Sequence, residues 1–245
     1  MTKYYYDLHI HSCLSPCGDD DNTPNNIAGM AHLSELDIIA LTDHNSCKNC
    51  PAFFEAAKKY KITPIAGMEL TTSEDIHVVC LFERLCDALT FDDFVDKRRI
   101  KIKNRPDIFG NQTVLNEEDE PIYEIEDLLI NSTGISVSEI KEIVEGYNGV
   151  CYPAHIDRES NGIISVLGTL PEDCPFDYYE LHDRSRIPEY SSKYDIPESR
   201  FVISSDAHRL TDLPDKENYL ELSDGLSTDE EIRTEIFALL RRKRI

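Results

Sequence analysis

The sequence predicts an α/β barrel of the distorted TIM type, built as one domain. Three observations carry that expectation. A chain of 245 residues is long enough to bury one large core. Short apolar runs alternate with helix-patterned stretches from the first residues onward, as a βαβα plan requires. Six of the eight histidines, His9, His11, His44, His77, His155 and His208, fall at the carboxyl ends of such runs, with Glu69 and Asp206 placed the same way. Donor side chains gathered at one end of a parallel sheet mark a candidate metalloenzyme.

Seven strands are predicted: Tyr4 to Ile10, Ile38 to Thr42, Thr63 to Ala66, His77 to Phe82, Val150 to Pro153, Tyr178 to Leu181 and Phe201 to Ser204. The helices between them carry start signals. Thr23 before Pro24 places an N-cap ahead of a proline at the first helical position, and Pro51 opens a helix whose Phe53, Ala56, Ala57 and Tyr60 share a face. Ser136 and Glu139 read as a capping box before Ile140, with Gly146 as the stop. The last helix starts near Ser227 with three acidic residues and ends in Arg241 to Arg244, which suits its dipole. Between about 96 and 133 the rhythm breaks into charged segments with the turn signals NRPDIFGNQ and NEEDEP. This stretch reads as an insertion, a hairpin and short helix placed either as a lid over the barrel mouth or as a solvated excursion.

Composition limits the partners. With 47 acidic and 25 basic residues, the net charge of −22 is expected to repel duplex nucleic acid and anionic membranes at long range. Tight duplex binding and membrane association are therefore excluded at this stage. No leader and no membrane-length apolar window is seen, so a cytoplasmic protein is expected, its eight cysteines kept as thiols.

Chemistry concentrates at the strand ends. Residues i and i+2 of a strand share a side, so His9 and His11 present two imidazoles to one point. Glu69, Asp206 and His208 add oxygen and nitrogen donors from other strands, a set suited to a transition-metal ion. One catalytic zinc takes three protein ligands, whereas eight candidates suffice for two or three divalent ions if Glu69 bridges.

DLHIHS, LTDHN, GMELTT with a following histidine, PAHID and SSDAH, in that order, resemble the PHP family, named for polymerase and histidinol phosphatase. The resemblance spans Asp7 to Arg209 outside the insertion. It implies a (β/α)7 barrel with a trinuclear site and hydrolysis of phosphate esters by a metal-activated hydroxide. By that resemblance His9, His11, Glu69 and Asp206 hold one ion, His44 and His208 belong to a second, and Glu69 bridges to a third completed by His77 and His155. His44, Glu69, Asp206 and His208 are thereby the catalytic set. Asp43 orients its neighbours or caps a helix.

The chain departs from the family in the loop after His11, SCLSPCGDDD, where relatives offer an aspartate or histidine and Pro16 stands here. Cys17, Asp19 or Asp20 are the candidates to replace it. Cys13, Cys17, Cys47 and Cys50 either form a separate thiolate site or remain free thiols, and the free-thiol reading is favoured. Arg158, Arg209 and His182 are the candidates for holding substrate phosphate, since guanidinium forks match its oxygens. His32 lies on a helix pattern away from any strand end.

The expected activity is a metal-dependent phosphoesterase acting on a small phosphorylated metabolite or nucleotide, with zinc, manganese or iron at the site. Two rivals remain at this stage. One is C–N hydrolysis by an amidohydrolase-type barrel, and the other is a non-catalytic metal-binding module.

Overall fold

Each predicted apolar run becomes a strand. The computed structural model describes residues 1–171 and 176–241. In chain order its elements are β1 (Thr2–Ile10), α1 (Pro24–Leu33), β2 (Ile38–Leu41), α2 (Cys50–Tyr60), β3 (Thr63–Thr71), β4 (His77–Phe82) and α3 (Leu85–Asp96). There follow α4 (Pro106–Phe109), β5 (Thr113–Leu115), β6 (Pro121–Glu124), α5 (Ile140–Gly146), β7 (Gly149–Pro153) and α6 (Ile163–Leu167). The chain continues with β8 (Tyr179–Leu181), α7 (Ile187–Tyr194), β9 (Phe201–Ile203), β10 (Tyr219–Leu222) and α8 (Asp229–Leu240).

The helix starts follow local chemistry. Thr23 caps α1 by accepting the Asn26 N–H, with Pro24 in the first turn. At α8 it is Thr228, one residue beyond the predicted start, that forms the cap, and Glu231 closes a capping box. The Ser136–Glu139 pair forms, with Ser136 Oγ 2.6 Å from Glu139 Oε2, but it sits on the turn before α5, whose first residue is Ile140. The Glu139 N–H bonds the Ser136 carbonyl instead of its hydroxyl, so the predicted box is only half built. Arg242 to Arg244 of the predicted basic terminus lie outside the described residues.

The main sheet runs in the order β10-β1-β2-β3-β4-β7. β1, β2 and β3 are parallel, whereas β4 is antiparallel to both β3 and β7. A strict (β/α)7 plan is therefore not what forms. The link between β3 and β4 covers only residues 72–76, too short for a crossover helix, so the chain must turn back on itself. β8 and β9 pair in parallel and fill the gap between the sheet's ends. On one side the Ile156 N–H donates to the Glu180 carbonyl, and on the other the His11 N–H donates to the Ala207 carbonyl. The result is a curled, barrel-like α/β fold.

Two apolar layers hold it. Inside the curl, Tyr6, Leu8, Ile38, Ile65, Val79 and Val202 meet Ile236 and Phe237 of α8, which plugs the end opposite the histidines. Outside, Ile39, Leu41, Met68 and Val78 pack beneath the helices through Ile27, Phe53 and Phe91. Gly67 sits where β3 is tightest. A Cβ there would lie 2.7 Å from Thr42 Cγ2 and 2.9 Å from both the Cys80 carbonyl oxygen and Leu81 Cδ2. Gly67→Ala is accordingly expected to destabilise the fold by about 1–3 kcal/mol, measured by denaturant unfolding. An unchanged midpoint would show that β3 yields more easily than this packing implies.

The 96–133 stretch contributes α4 and the β5–β6 hairpin, and it is pinned to the strand ends carrying the histidines. Thr133 N–H donates to the Thr71 carbonyl, Asn45 Nδ2 to the carbonyls of Leu129 and Asn131, and Thr113 N–H to the Cys13 carbonyl. It thus walls one side of the mouth. Among the described residues no helix is long and apolar enough to cross a membrane.

Candidate metal centre

A bulge in β1 aims the first two histidines. Tyr6 pairs with Ile38 and Ile10 with Leu41, so five residues of β1 span four of β2, and the register shifts between Asp7 and Ile10. One extra residue exchanges the faces of a strand. Tyr6 and Leu8 therefore point into the curl, Ile10 points outward, and His9 and His11 point inward beyond the bulge. β4 solves the same problem differently. His77 is its first residue and not the end of an apolar run as predicted, yet the reversed strand brings its start to the edge where β3 ends, so that Thr71 pairs with His77.

Glu69, buried on β3, is the hub. Its two oxygens lie 3.4 Å from His9 Nε2, 3.2 Å from His11 Nε2, 3.0 Å from His44 Nδ1, 2.9 Å from His77 Nδ1 and 3.0 Å from His155 Nε2. Asp206 Oδ1 lies 3.3 Å from His9 Nε2 and 3.1 Å from His11 Nε2. Three overlapping donor groups result, each with its atoms within 4.8 Å of one another: His9, His11, Glu69 and Asp206; His11, His44 and His208; and His44, Glu69 and His77. The His155 and Asp206 backbones both take positive φ, +28° and +54°, a strain that non-glycine residues carry where a site demands it.

The electrostatics suit cations. Burial alone would raise Glu69, but its electrostatic interactions with His77 and His9 hold its carboxyl well below the ordinary range. Burial pushes His44 down to about 3 despite Glu69 and His208 down to about 4, keeping both as neutral donors. His11 behaves oppositely, because Asp206 and Glu69 overcome its burial and raise it to about 9. Buried polar atoms are also orphaned here: His44 Nδ1, Glu69 Oε2, His155 Nδ1 and Asp206 Oδ1 have no hydrogen-bond partner. Histidine nitrogens and carboxylate oxygens gathered within 4.8 Å of one another, several of them without a hydrogen-bond partner, are what bound cations would satisfy, so the donor set fits divalent ions.

Other polar groups hold the donors from behind. Asp43 accepts from Ser12 N–H, Ser12 Oγ and Ser15 Oγ, and Ser15 Oγ stands 2.8 Å from His11 Nδ1. The side chain reaching His11 from the departing loop is thus Ser15. Cys17 and Asp19 are exposed and join none of the three groups, and Asp20 instead meets Asn111 Nδ2. The remaining cysteines named above point elsewhere: Cys47 and Cys50 toward the Gly67 carbonyl, Cys13 toward the Thr113 carbonyl. Glu180, buried on β8, was missed by sequence reasoning. Its only signal was a carboxylate inside an apolar strand, two residues before His182.

A cavity of about 760 Å³ opens beside Asp206, lined by Arg158, His182, Arg184, Ser204, Ser205 and Asn218 among others. Arg158 pairs through Nη1 with Asp206 Oδ2 and donates through Nη2 to His182 Nδ1 at 3.1 Å. Arg209 is exposed and does not line this cavity, and His32 is exposed on α1, its ring beside Tyr60. A second cavity, about 520 Å³, lies at the opposite end between β7 and α8 and includes none of the donors.

Comparison with known proteins agrees with this geometry. A model of the PHP domain matches residues 7–168. A lesion-specific endonuclease from Pyrococcus furiosus superposes over 99% of the chain with a TM-score of 0.64 and 21% identity. Endonuclease Q bound to a 27-mer duplex with an abasic lesion at its active site gives 0.63 and 20%, again over 99% of the chain. The chain spans 57% and 58% of the length of those two proteins. A Bifidobacterium adolescentis protein assigned as a metal-dependent phosphoesterase gives 0.55 at 16% identity, covering 95% of this chain and 96% of that one. The exclusion of duplex binding drawn from net charge is overturned by the duplex-bound neighbour, because one fold accommodates that partner. Net charge averages over a whole surface and does not report the field at one mouth.

Proposed function

The chain belongs to the PHP domain family, and on that footing we propose that it is a metal-dependent phosphoric ester hydrolase whose reacting phosphate sits between the donor groups and Arg158. One observation carries this reading: the guanidinium of Arg158 stands where the donor cluster meets the polar cavity, in contact with Asp206 on one side and His182 on the other. His9, His11, Glu69 and Asp206 would hold one divalent ion, with His44, His208, His77 and His155 completing the sites for one or two more. Such ions supply Lewis acidity toward phosphoryl oxygens and offset the charge that develops during displacement.

The protein's own groups do the rest. Arg158 offers two parallel N–H donors to non-bridging oxygens once its fork turns from Asp206. Because His182 Nδ1 accepts from Arg158, its ring proton is on Nε2, available to the leaving oxygen in the adjoining cavity. The cavity suits the polar remainder of a small phosphorylated metabolite or nucleotide. Arg209, exposed and outside the cavity, is left without a part.

The test is hydrolysis by protein loaded with manganese, zinc or iron, across phosphomonoesters, phosphodiesters, nucleotides, cyclic amides and a duplex oligonucleotide with an abasic site. Release from an ester supports the proposal, and turnover of amides alone would replace it with C–N hydrolysis. Cleavage confined to the duplex, the reading favoured by the duplex-bound neighbour, would move the substrate from metabolite to nucleic acid. Arg158→Ala is expected to lower kcat/KM by roughly 10- to 150-fold, the worth of a hydrogen bond to a charged group, with metal content unchanged. Arg158→Lys is expected to recover only part of that, since an ammonium cannot make the paired contact. Wild-type kinetics in Arg158→Ala would remove the residue from the site.

A further inference from the structure

We infer that Glu180 is the positioning residue of the centre, a single carboxylate that sets the ring of His9 and the backbone of His155 together. The inference rests on the reading of the cluster as a metal site and adds to it a group that belongs to none of the donor sets.

The geometry is specific. Glu180 Oε1 lies 2.9 Å from His9 Nδ1 and Oε2 lies 3.1 Å from the same nitrogen. A carboxylate only accepts, so His9 carries its proton on Nδ1 and turns Nε2 toward Glu69, Asp206 and His11. The orientation that a metal needs is thereby fixed before any metal arrives. Oε1 also accepts the His155 N–H at 3.1 Å. His155 holds φ at +28°, a conformation that costs about 1–3 kcal/mol unless its surroundings impose it. The Glu180 main chain adds to that restraint, since its carbonyl takes the Ile156 N–H. His9 sits on β1 and His155 follows β7, the two strands that β8–β9 joins. Glu180 therefore ties donors from both sides of the gap in the curled sheet.

Three variants separate positioning from mere packing. Glu180→Gln keeps the length and an acceptor oxygen, Glu180→Ala removes both, and Val202→Ala trims a buried apolar residue paired with Glu180 on the neighbouring strand that belongs to none of the donor sets. Manganese and cobalt binding would be measured by titration of chelator-stripped protein, with ions counted by mass spectrometry and folding followed by circular dichroism. Glu180→Ala is expected to bind roughly 10- to 100-fold more weakly, the usual effect of losing a group behind a metal-bound histidine. Glu180→Gln should recover most of the affinity, and Val202→Ala should match wild type in affinity despite a lower melting temperature. Equal losses in Glu180→Ala and Val202→Ala, or wild-type affinity in a folded Glu180→Ala, would overturn the assignment.

A second readout needs no metal. In stripped protein, nitrogen-15 shifts of the His9 ring should show a hydrogen-bonded proton on Nδ1, retained in Glu180→Gln. A proton on Nε2 instead would overturn the inference even if Glu180→Ala failed to fold. Weakened metal binding in Glu180→Ala from a wild-type protein that hydrolyses no ester would leave this inference standing while the phosphoesterase reading fell.

Discussion

Replacing Glu69 with alanine is expected to empty the centre and lower ester hydrolysis by at least ~1000-fold, about 4 kcal/mol of transition-state stabilisation. Among the described residues no other side chain meets five histidines, and its oxygens belong to two of the three donor groups. Losing it therefore damages more than one site at once, whereas losing His77 alone removes a donor from one group. The protein should suffer even without metal. Glu69 lies buried against the rings of His9 and His155, and leaving such groups without their acceptor costs about 1–3 kcal/mol. Metal content by mass spectrometry and hydrolysis of a chromogenic diester read the outcome. Full metal occupancy with activity within tenfold of wild type would show that the donors do not share Glu69.

Stripping bound metal with a chelator is expected to lower the melting temperature by roughly 8–16 °C. That range follows from about 4 kcal/mol of linkage at a thousandfold excess over Kd, with each kcal/mol moving the midpoint of a chain this size by about 2–4 °C. The physical source is the set of buried atoms on His44, Glu69, His155 and Asp206 that have no hydrogen-bond partner within the protein. Re-addition of metal should restore the transition and Glu69→Ala should not respond. A melting curve indifferent to chelation, in protein shown to have carried ions, would mean that these donors hold metal without strengthening the fold.

Much of this architecture was legible in the sequence, and the gaps have physical reasons. The seven apolar runs became strands of three to nine residues because short runs of buried, mostly apolar side chains are hard to satisfy otherwise. Strand direction was not legible, since an apolar run reads the same both ways: the strand His77 to Phe82 formed where predicted, but His77 was grouped with donors at the carboxyl ends of runs when it opens one. Convergence of His9, His11, Glu69 and Asp206 was legible from their positions, although the bulge that turns the two β1 histidines inward was not. Pattern counts residues and does not see register. In the loop after His11, sequence reasoning favoured the strong donors Cys17 and Asp19, but the chain's path turns Ser15 toward His11. Glu180 escaped notice for a related reason. Its task is to hold another ligand's proton, and motifs built on metal donors do not record who stands behind them.

The reversed β4 also has a kinetic meaning. Most pairings in this fold join segments far apart in sequence, and closing the curl needs β9, nearly two hundred residues from β1. The β3–β4 hairpin instead closes through a loop of a few residues, with little chain entropy to overcome. Glu69 and His77 can thus find each other early, while the distant ligands are still unattached. The hub carboxylate is then carried into the closing barrel with one histidine already at its side, a nucleus around which the other donors gather.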